Sequence, residues 1–215
     1  MNLTSRTSIG WMLLLSFGFG GCKKDSAPKD LAPLFKNTIW TGEFNYTAGT
    51  SQPVSMEFKE GGLLSWYELA GEAAGSWQID SGRISVTLPN RNGFKAEVSG
   101  DNKLTNVSVV PGSSIAAITA ALNTSTDLAL DETIWTAPNV QLHFKGGNKV
   151  DMALGPAGGT VYPDIPYVYK AKTIRYAVVS GDYNWFFVRS SATAFKGVNQ
   201  FSPDATLYPF NLSKN

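Results

Sequence analysis

The chain repeats itself. "NTIWTGEF" from Asn37 returns as "ETIWTAPN" from Glu132, and "VSMEFKEGG" from Val54 returns as "VQLHFKGG" from Val140. "GSWQIDSGRISVTL" lies over "IPYVYKAKTIRYAV", which sets Trp77 on Tyr167 and Ile84 on Ile174. "FKAEVSGDNKLTNV" then lies over "NWFFVRSSATAFKGV". Matches in one order, with an offset that drifts only as loop insertions allow, imply a duplication. Any element read in one copy is therefore expected again in the other.

Within each copy the apolar residues alternate with polar ones, the period of a half-buried strand. Val54, Met56 and Phe58 alternate with Ser55, Glu57 and Lys59; Ile84, Val86 and Leu88 alternate with Arg83, Ser85 and Thr87. Turn-forming residues separate these runs at Gly61-Gly62, Asp80-Ser81-Gly82, Asn90 to Gly93, Gly100 to Asn102, Gly146 to Asn148 and Ser180 to Asp182. The pattern predicts about six antiparallel strands per copy, joined by hairpins. Between the copies, "SSIAAITAALNTS" spaces Ile115, Ile118 and Leu122 as a helix does, with Ser113 or Ser114 as cap, and predicts one short linking helix. The expected fold is all-β, an antiparallel meander barrel or sandwich of two related repeats. Repeat 1 spans 36–112, a linker with the helix spans 113–130, and repeat 2 spans 131–215. A domain of about 80 residues buries only about 60% of its chain surface, whereas one twice as long buries about 70%. The repeats are expected to pack against each other.

The N-terminus carries a different signal. Arg6, an apolar run from Ile9 to Phe19 and then Gly20-Gly21 have the layout of a secretory signal peptide over residues 1–21. Phe19-Gly20-Gly21-Cys22 resembles a bacterial lipobox, and Cys22 is the only cysteine of the chain. A lone thiol has no disulfide partner in an oxidising compartment. The resemblance implies that Cys22 is acylated and becomes the first residue of the mature protein. The Ser/Ala/Pro/Lys-rich stretch that follows, read as a flexible tether over 22–35, resembles that of surface lipoproteins of the Bacteroidota. The implied location is the cell envelope, lipid-anchored at the outer membrane. Each buried methylene contributes about 0.8 kcal/mol, so two or three acyl chains anchor a protein durably. The meander with Trp in its first strand resembles the calycin-like folds of lipocalin-like lipoproteins. Thr38 and Thr133 stand where a lipocalin has Gly, two residues before the Trp.

Charge and motifs narrow the function. Removing residues 1–21 removes Arg6 and no acid, so 18 basic residues become 17, equal to the 17 acidic ones. A balanced charge without basic clusters argues against a nucleic-acid partner. The single histidine, His143, shares the polar face of its strand with Gln141 and Lys145, and reads as a surface residue. One histidine and an acylated cysteine leave no zinc spacing and no Cys/His nucleophile. No G-x-S-x-G elbow occurs, "GPAGG" at Gly155 lacks the setting of a phosphate loop, and Asp127, Asp131 and Glu132 read as a solvated turn. No catalytic residue, metal site or cofactor is expected.

Aligning "GGLLSWYEL" with "GGNKVDMAL" sets Ser65, Tyr67 and Leu69 on Val150, Met152 and Leu154, which turns Trp66 outward. The same reasoning turns Trp185 and Phe187 outward and Phe186 and Val188 inward. Large aromatic side chains on a polar face need a partner. They either form a seam between the repeats or bind a ligand, since aromatic faces stack on sugars and line apolar sites. The leading expectation is a non-catalytic binding module for a glycan or small amphiphile, with Trp66, Trp185 and Phe187 as ligand residues. The alternative is an accessory subunit that presents this aromatic face to an envelope protein.

Replacing Cys22 with Ser should abolish incorporation of labelled fatty acid and move the protein from the membrane to the soluble fraction. Unchanged fractionation would remove the acylated cysteine as the anchor.

Overall fold

The computed structural model describes residues 30–127, 129–155, 159–178, 183–201 and 206–215; Cys22 lies outside them. The first half begins with a one-turn helix, α1 (Ala32–Phe35), and continues as eight strands. These are β1 (Thr38–Tyr46), β2 (Ser51–Phe58), β3 (Leu63–Glu68), β4 (Gly71–Asp80), β5 (Arg83–Thr87), β6 (Gly93–Val98), β7 (Leu104–Val109) and β8 (Ile115–Leu122). The second half holds β9 (Thr133–Ala137), β10 (Val140–Lys145), β11 (Lys149–Leu154), β12 (Thr160–Pro166) and β13 (Val168–Lys170). It ends with β14 (Thr173–Val178), β15 (Tyr183–Arg189), β16 (Ala194–Phe201) and β17 (Leu207–Lys214). All pairings are antiparallel, in the orders β7-β6-β5-β4-β3-β2-β1-β8 and β12-β11-β10-β9-β17-β16-β15-β14-β13. In each half the last strand returns to pair with the first, giving two nearly closed, barrel-like sheets of 8 and 9 strands. An isolated bridge from Lys103 to Ala121 spans the gap between β7 and β8 in barrel 1.

The two halves repeat in side-chain detail. Asn37 and Glu132 precede the first strands with φ of 56° and 59°, the left-handed turn that leads the chain into the barrel. One residue on, the Thr38 hydroxyl donates to the Phe35 carbonyl (2.8 Å) and accepts from the Trp40 indole N–H (3.2 Å). Thr133 likewise donates to the Leu130 carbonyl and accepts from Trp135 (3.0 Å). Thr at this position thus holds the buried indole, where Gly would leave its N–H without that acceptor. Trp40 pairs with Met56 and Trp135 with Leu142, in matching register. The hairpins β4–β5 and β13–β14 both turn on two residues of positive φ, Ser81-Gly82 and Ala171-Lys172.

Side chains fill both interiors. In barrel 1, Leu31 and Phe35 enter from one end, with Phe35 stacked on Trp40 at 4.7 Å and 13°. Residues 31–35, assigned to the tether on sequence grounds, therefore belong to the barrel. Leu130 occupies the corresponding place under Trp135.

Trp66, Trp185 and Phe187 point inward, contrary to the sequence reading. Trp66 and Trp185 are each 2% exposed and Phe187 is fully buried. The cause is a slip of one residue in alignment. Phe58 pairs with Leu64 and Phe144 with Val150, so Trp66 corresponds to Met152, although matching the two Gly-Gly pairs had set it on Asp151. Ile84 pairs with Ala96 and Ile174 with Phe187, so Trp185 corresponds to Phe94 and not to Lys95. A shift of one residue exchanges the faces of a strand. The expected linking helix is strand β8. A register shift lets Tyr46 face Ile115 while Asn45 faces Ala117, and this bulge sets Ile115 and Ile118 three apart, as on a helix, before Ile118, Ala120 and Leu122 alternate as in a strand. The strands left out of the six expected per copy include the closing one.

The face opposite the interiors forms the seam. Tyr67 and Leu69 of β3 and the residue after it pack against Phe186 and Val188 of β15 and Val198 of β16. Ser55, fully buried, donates to the Ala171 carbonyl at 2.6 Å. Lys170 crosses to Glu72 (2.8 Å) and lies over the Tyr67 ring (5.4 Å). The repeats do share burial along aromatic residues, but through Tyr67 and Phe186.

Trp66→Ala and Trp185→Ala should each cost about 3–5 kcal/mol, the range for a buried aromatic side chain, read as a lower urea midpoint. A loss within about 0.5 kcal/mol, ordinary for a surface position, would place these rings outside the barrels.

Candidate functional site

Where two barrels meet side by side, a groove is left along the junction. Its largest part is a cleft of about 490 Å³ lined by β1 (Thr41, Gly42), the end of β8 and the linker (Ala121 to Ser125), Val188, the turn Ser190 to Ala192, and Lys196. Thr41 and Lys196 reach it because odd positions of β1 and even positions of β16 face away from the interiors. Gly42 is required for a different reason: a Cβ there would lie 1.8 Å from the Thr119 carbonyl oxygen, so only Gly lets β8 approach β1 this closely.

The wall on the linker side is tied at several points. Asn123 Nδ2 donates to Thr41 Oγ1 (3.1 Å) and to the Arg189 carbonyl (2.8 Å), joining barrel 1, linker and barrel 2 through one amide. Arg189, only 1% exposed, donates from Nη1 to the Thr126 carbonyl and from Nε to the Ser191 carbonyl (2.9 Å). Lys172 Nζ is paired with Asp127, and this contact, with a smaller contribution from Arg189, holds the Asp127 carboxyl below the usual carboxylate range. Buried cations bound to linker oxygens tie this segment to barrel 2 through charge-assisted hydrogen bonds.

Lys196 also lines a second cleft of about 270 Å³, with Glu43, Ser51, Gln52, Pro53, Phe210 and neighbouring residues of β16 and β17. Its ammonium pairs with Glu43 at 3.2 Å where the two clefts adjoin. Gln52 in turn lines a third cleft, of about 210 Å³, with Tyr46, Thr50, Leu69, Ala70, Gln200 and Leu207. The shared residues make the three clefts successive stretches of one furrow. Gln52 is 6% exposed, and its Oε1 has no donor among the described residues. A buried acceptor left in this way costs about 1–3 kcal/mol unless something donates to it. At the far end the Tyr46 hydroxyl donates to Glu68 Oε2 (3.2 Å), which also accepts from Trp66 Nε1 (3.1 Å). Burial first, and then the Glu68 carboxylate, push the Tyr46 phenol up to about 12.

The residues expected from sequence are not in this furrow. Trp185 and Phe187 stack in barrel 2 (6.1 Å, 17°), while Trp66 lies in barrel 1 edge-on to Phe44 (5.3 Å). His143 is on the outer face of β10, 3.6 Å from Glu132, and lines none of the three clefts. Among the described residues there is no cluster of three His, Cys, Asp or Glu side chains placed to hold a metal ion. The signal that was available is the pair of hydroxyl-rich runs, Asn123 to Thr126 in the linker and Ser190 to Thr193 in the second repeat. No family model, curated protein or solved structure matches the chain.

Tyrosine in an unfolded chain ionises near pH 10, and in the native protein Tyr46 keeps its proton to about 12. Its contribution to stability is complete below pH 10 and is lost as pH rises from 10 to 12. A Tyr46→Phe variant should therefore lose less stability over that interval than the wild type, measured as urea midpoints. Identical slopes would show that the phenol is not held in its neutral form.

Proposed function

We propose that the chain is a non-catalytic binding module, lipid-anchored through Cys22 in the cell envelope at the outer membrane, which takes a neutral glycan in the furrow between its barrels. The composition of the furrow carries this reading. Thr41, Thr124, Ser125, Ser190 and Ser191 supply hydroxyl groups beside the apolar Val188. Among the described residues that line the three clefts, the charged ones, Glu43 and Lys196, neutralise each other. Many donors and acceptors around apolar patches suit a sugar, whose hydroxyl groups and C–H faces need both. The volume of the main cleft lies within the range of small-molecule sites, roughly 300–1,000 Å³.

An amphiphile lodged throughout a barrel is less well supported, because Trp40, Phe44, Phe58 and Phe94 fill one interior and Trp135, Phe144, Phe187 and Phe195 the other. The accessory-subunit reading rested on outward-facing Trp66, Trp185 and Phe187, all of which are buried. Among the described residues no helix is long and apolar enough to cross a membrane, and the anchor rests on the lipobox resemblance alone.

The test is an oligosaccharide array followed by thermal shift on the Cys22→Ser chain. A ligand at a hundred times its Kd stabilises by about 2.7 kcal/mol, a rise of roughly 5–11 °C for a domain of this size. Ala192→Trp fills the main cleft from an exposed position and should abolish the shift while leaving the ligand-free Tm unchanged. Binding that survives Ala192→Trp would move the site out of the furrow, and a silent array would remove the glycan.

A further inference from the structure

The duplication provides an internal control for the interior of barrel 2. On the inner face of barrel 1, Val86, Phe94 and Val109 are successive cross-strand partners. In barrel 2 the matching row is Tyr176, Trp185 and Asn199. The rows are in register, because Ile84 faces Ala96 one pleat away and Ile174 faces Phe187. One copy therefore closes with three apolar side chains where the other carries three polar tips.

Those tips are poorly served by the protein. Trp185 is buried, and its Nε1–H has no acceptor among the described residues. The Oδ1 of Asn199, directly opposite on β16, is itself buried and has no donor. Among the described residues the Tyr176 hydroxyl donates to the Met152 sulfur, at 3.6 Å, a weak acceptor. A donor and an acceptor left unmade on facing residues are costly, and the copy in barrel 1 shows that the fold does not need them. Aromatic rings surround the pair: Tyr176 stacks on Trp185 at 5.9 Å, and Phe210 meets Trp185 edge-on at 5.1 Å. Gly197 makes room for them, since a Cβ there would lie 2.7 Å from Phe187 and 2.8 Å from Phe210.

The complement to an indole N–H and an amide oxygen on facing residues is one group that accepts and donates. A carboxylate satisfies only the indole, and an ammonium only the amide. We propose that barrel 2 binds a hydroxyl group between Trp185 Nε1 and Asn199 Oδ1, either a long-lived water or the alcohol end of a lipophilic molecule. This site is independent of the furrow and does not rest on the glycan reading.

The test follows the Trp185 indole resonance in the ¹⁵N-labelled Cys22→Ser chain, assigned by its loss in Trp185→Phe. A bound water gives cross-relaxation between this N–H and a water proton. A lipophilic alcohol gives a saturable shift with 1-octanol that octane does not reproduce. Either result supports the site, and Asn199→Leu, which keeps the volume but removes the acceptor, should weaken the signal at least tenfold. The wild-type spectrum decides even if that variant does not fold. An indole N–H that shows neither signal, or one whose signal is unchanged in folded Asn199→Leu, overturns the proposal.

Discussion

Each barrel is organised around one indole held by one hydroxyl. Trp40 sits on the strand where the sheet closes, paired with Met56 on one side and Leu122 on the other. Trp135 holds the same place between Leu142 and Lys214. The closing strand arrives some 80 residues after the first, so its pairing carries a large loop-closure cost. A bulky, fully buried ring whose N–H is already satisfied two residues away gives the returning strand a fixed surface to close on. The left-handed residue before each Thr sets the direction in which the chain enters.

Eight or nine short strands of this length make a small barrel, and a small barrel buries too little of its own surface to be robust. Pairing two of them adds a third apolar cluster made of residues that a solitary barrel would expose, Tyr67, Leu69, Phe186, Val188 and Val198. The furrow is a geometric consequence of that pairing, because two convex surfaces touching along a line leave a hollow beside it. Asn123, Arg189 and Lys172 then convert the linker into one wall of the hollow. Stability and candidate site thus arise from the same seam.

The copies have diverged where packing does not constrain them equally. Register, Trp anchor and hairpin turn persist in both. The row across β5, β6 and β7 is apolar, while its counterpart across β14, β15 and β16 ends in a phenol, an indole and an amide. The long β4, with its strict alternation of half-buried and exposed residues, is matched by two strands that part at Tyr167 and leave barrel 2 open there. Duplication permits this, since one copy maintains the fold while the other acquires polar groups.

Strand period, turn chemistry and the duplication itself are local properties, written in residue types two to four positions apart, and they were legible without coordinates. The all-β meander and the packing of the copies followed from them. Which face of β3 and of β15 is buried was not legible, because the Gly-Gly pair sits one residue earlier in the β10–β11 turn than in the equally long β2–β3 turn, and because Ile174 and Phe187 are one residue further apart in the chain than Ile84 and Ala96. A single-residue ambiguity inverts a whole strand. The bulge in β8 imitated a helix for the same reason: its apolar spacing reflects pairing with β1, and not its own backbone. The furrow could not be read at all, since Thr41, Asn123, Ser191 and Lys196 are far apart in the chain and meet only when both barrels have closed and docked.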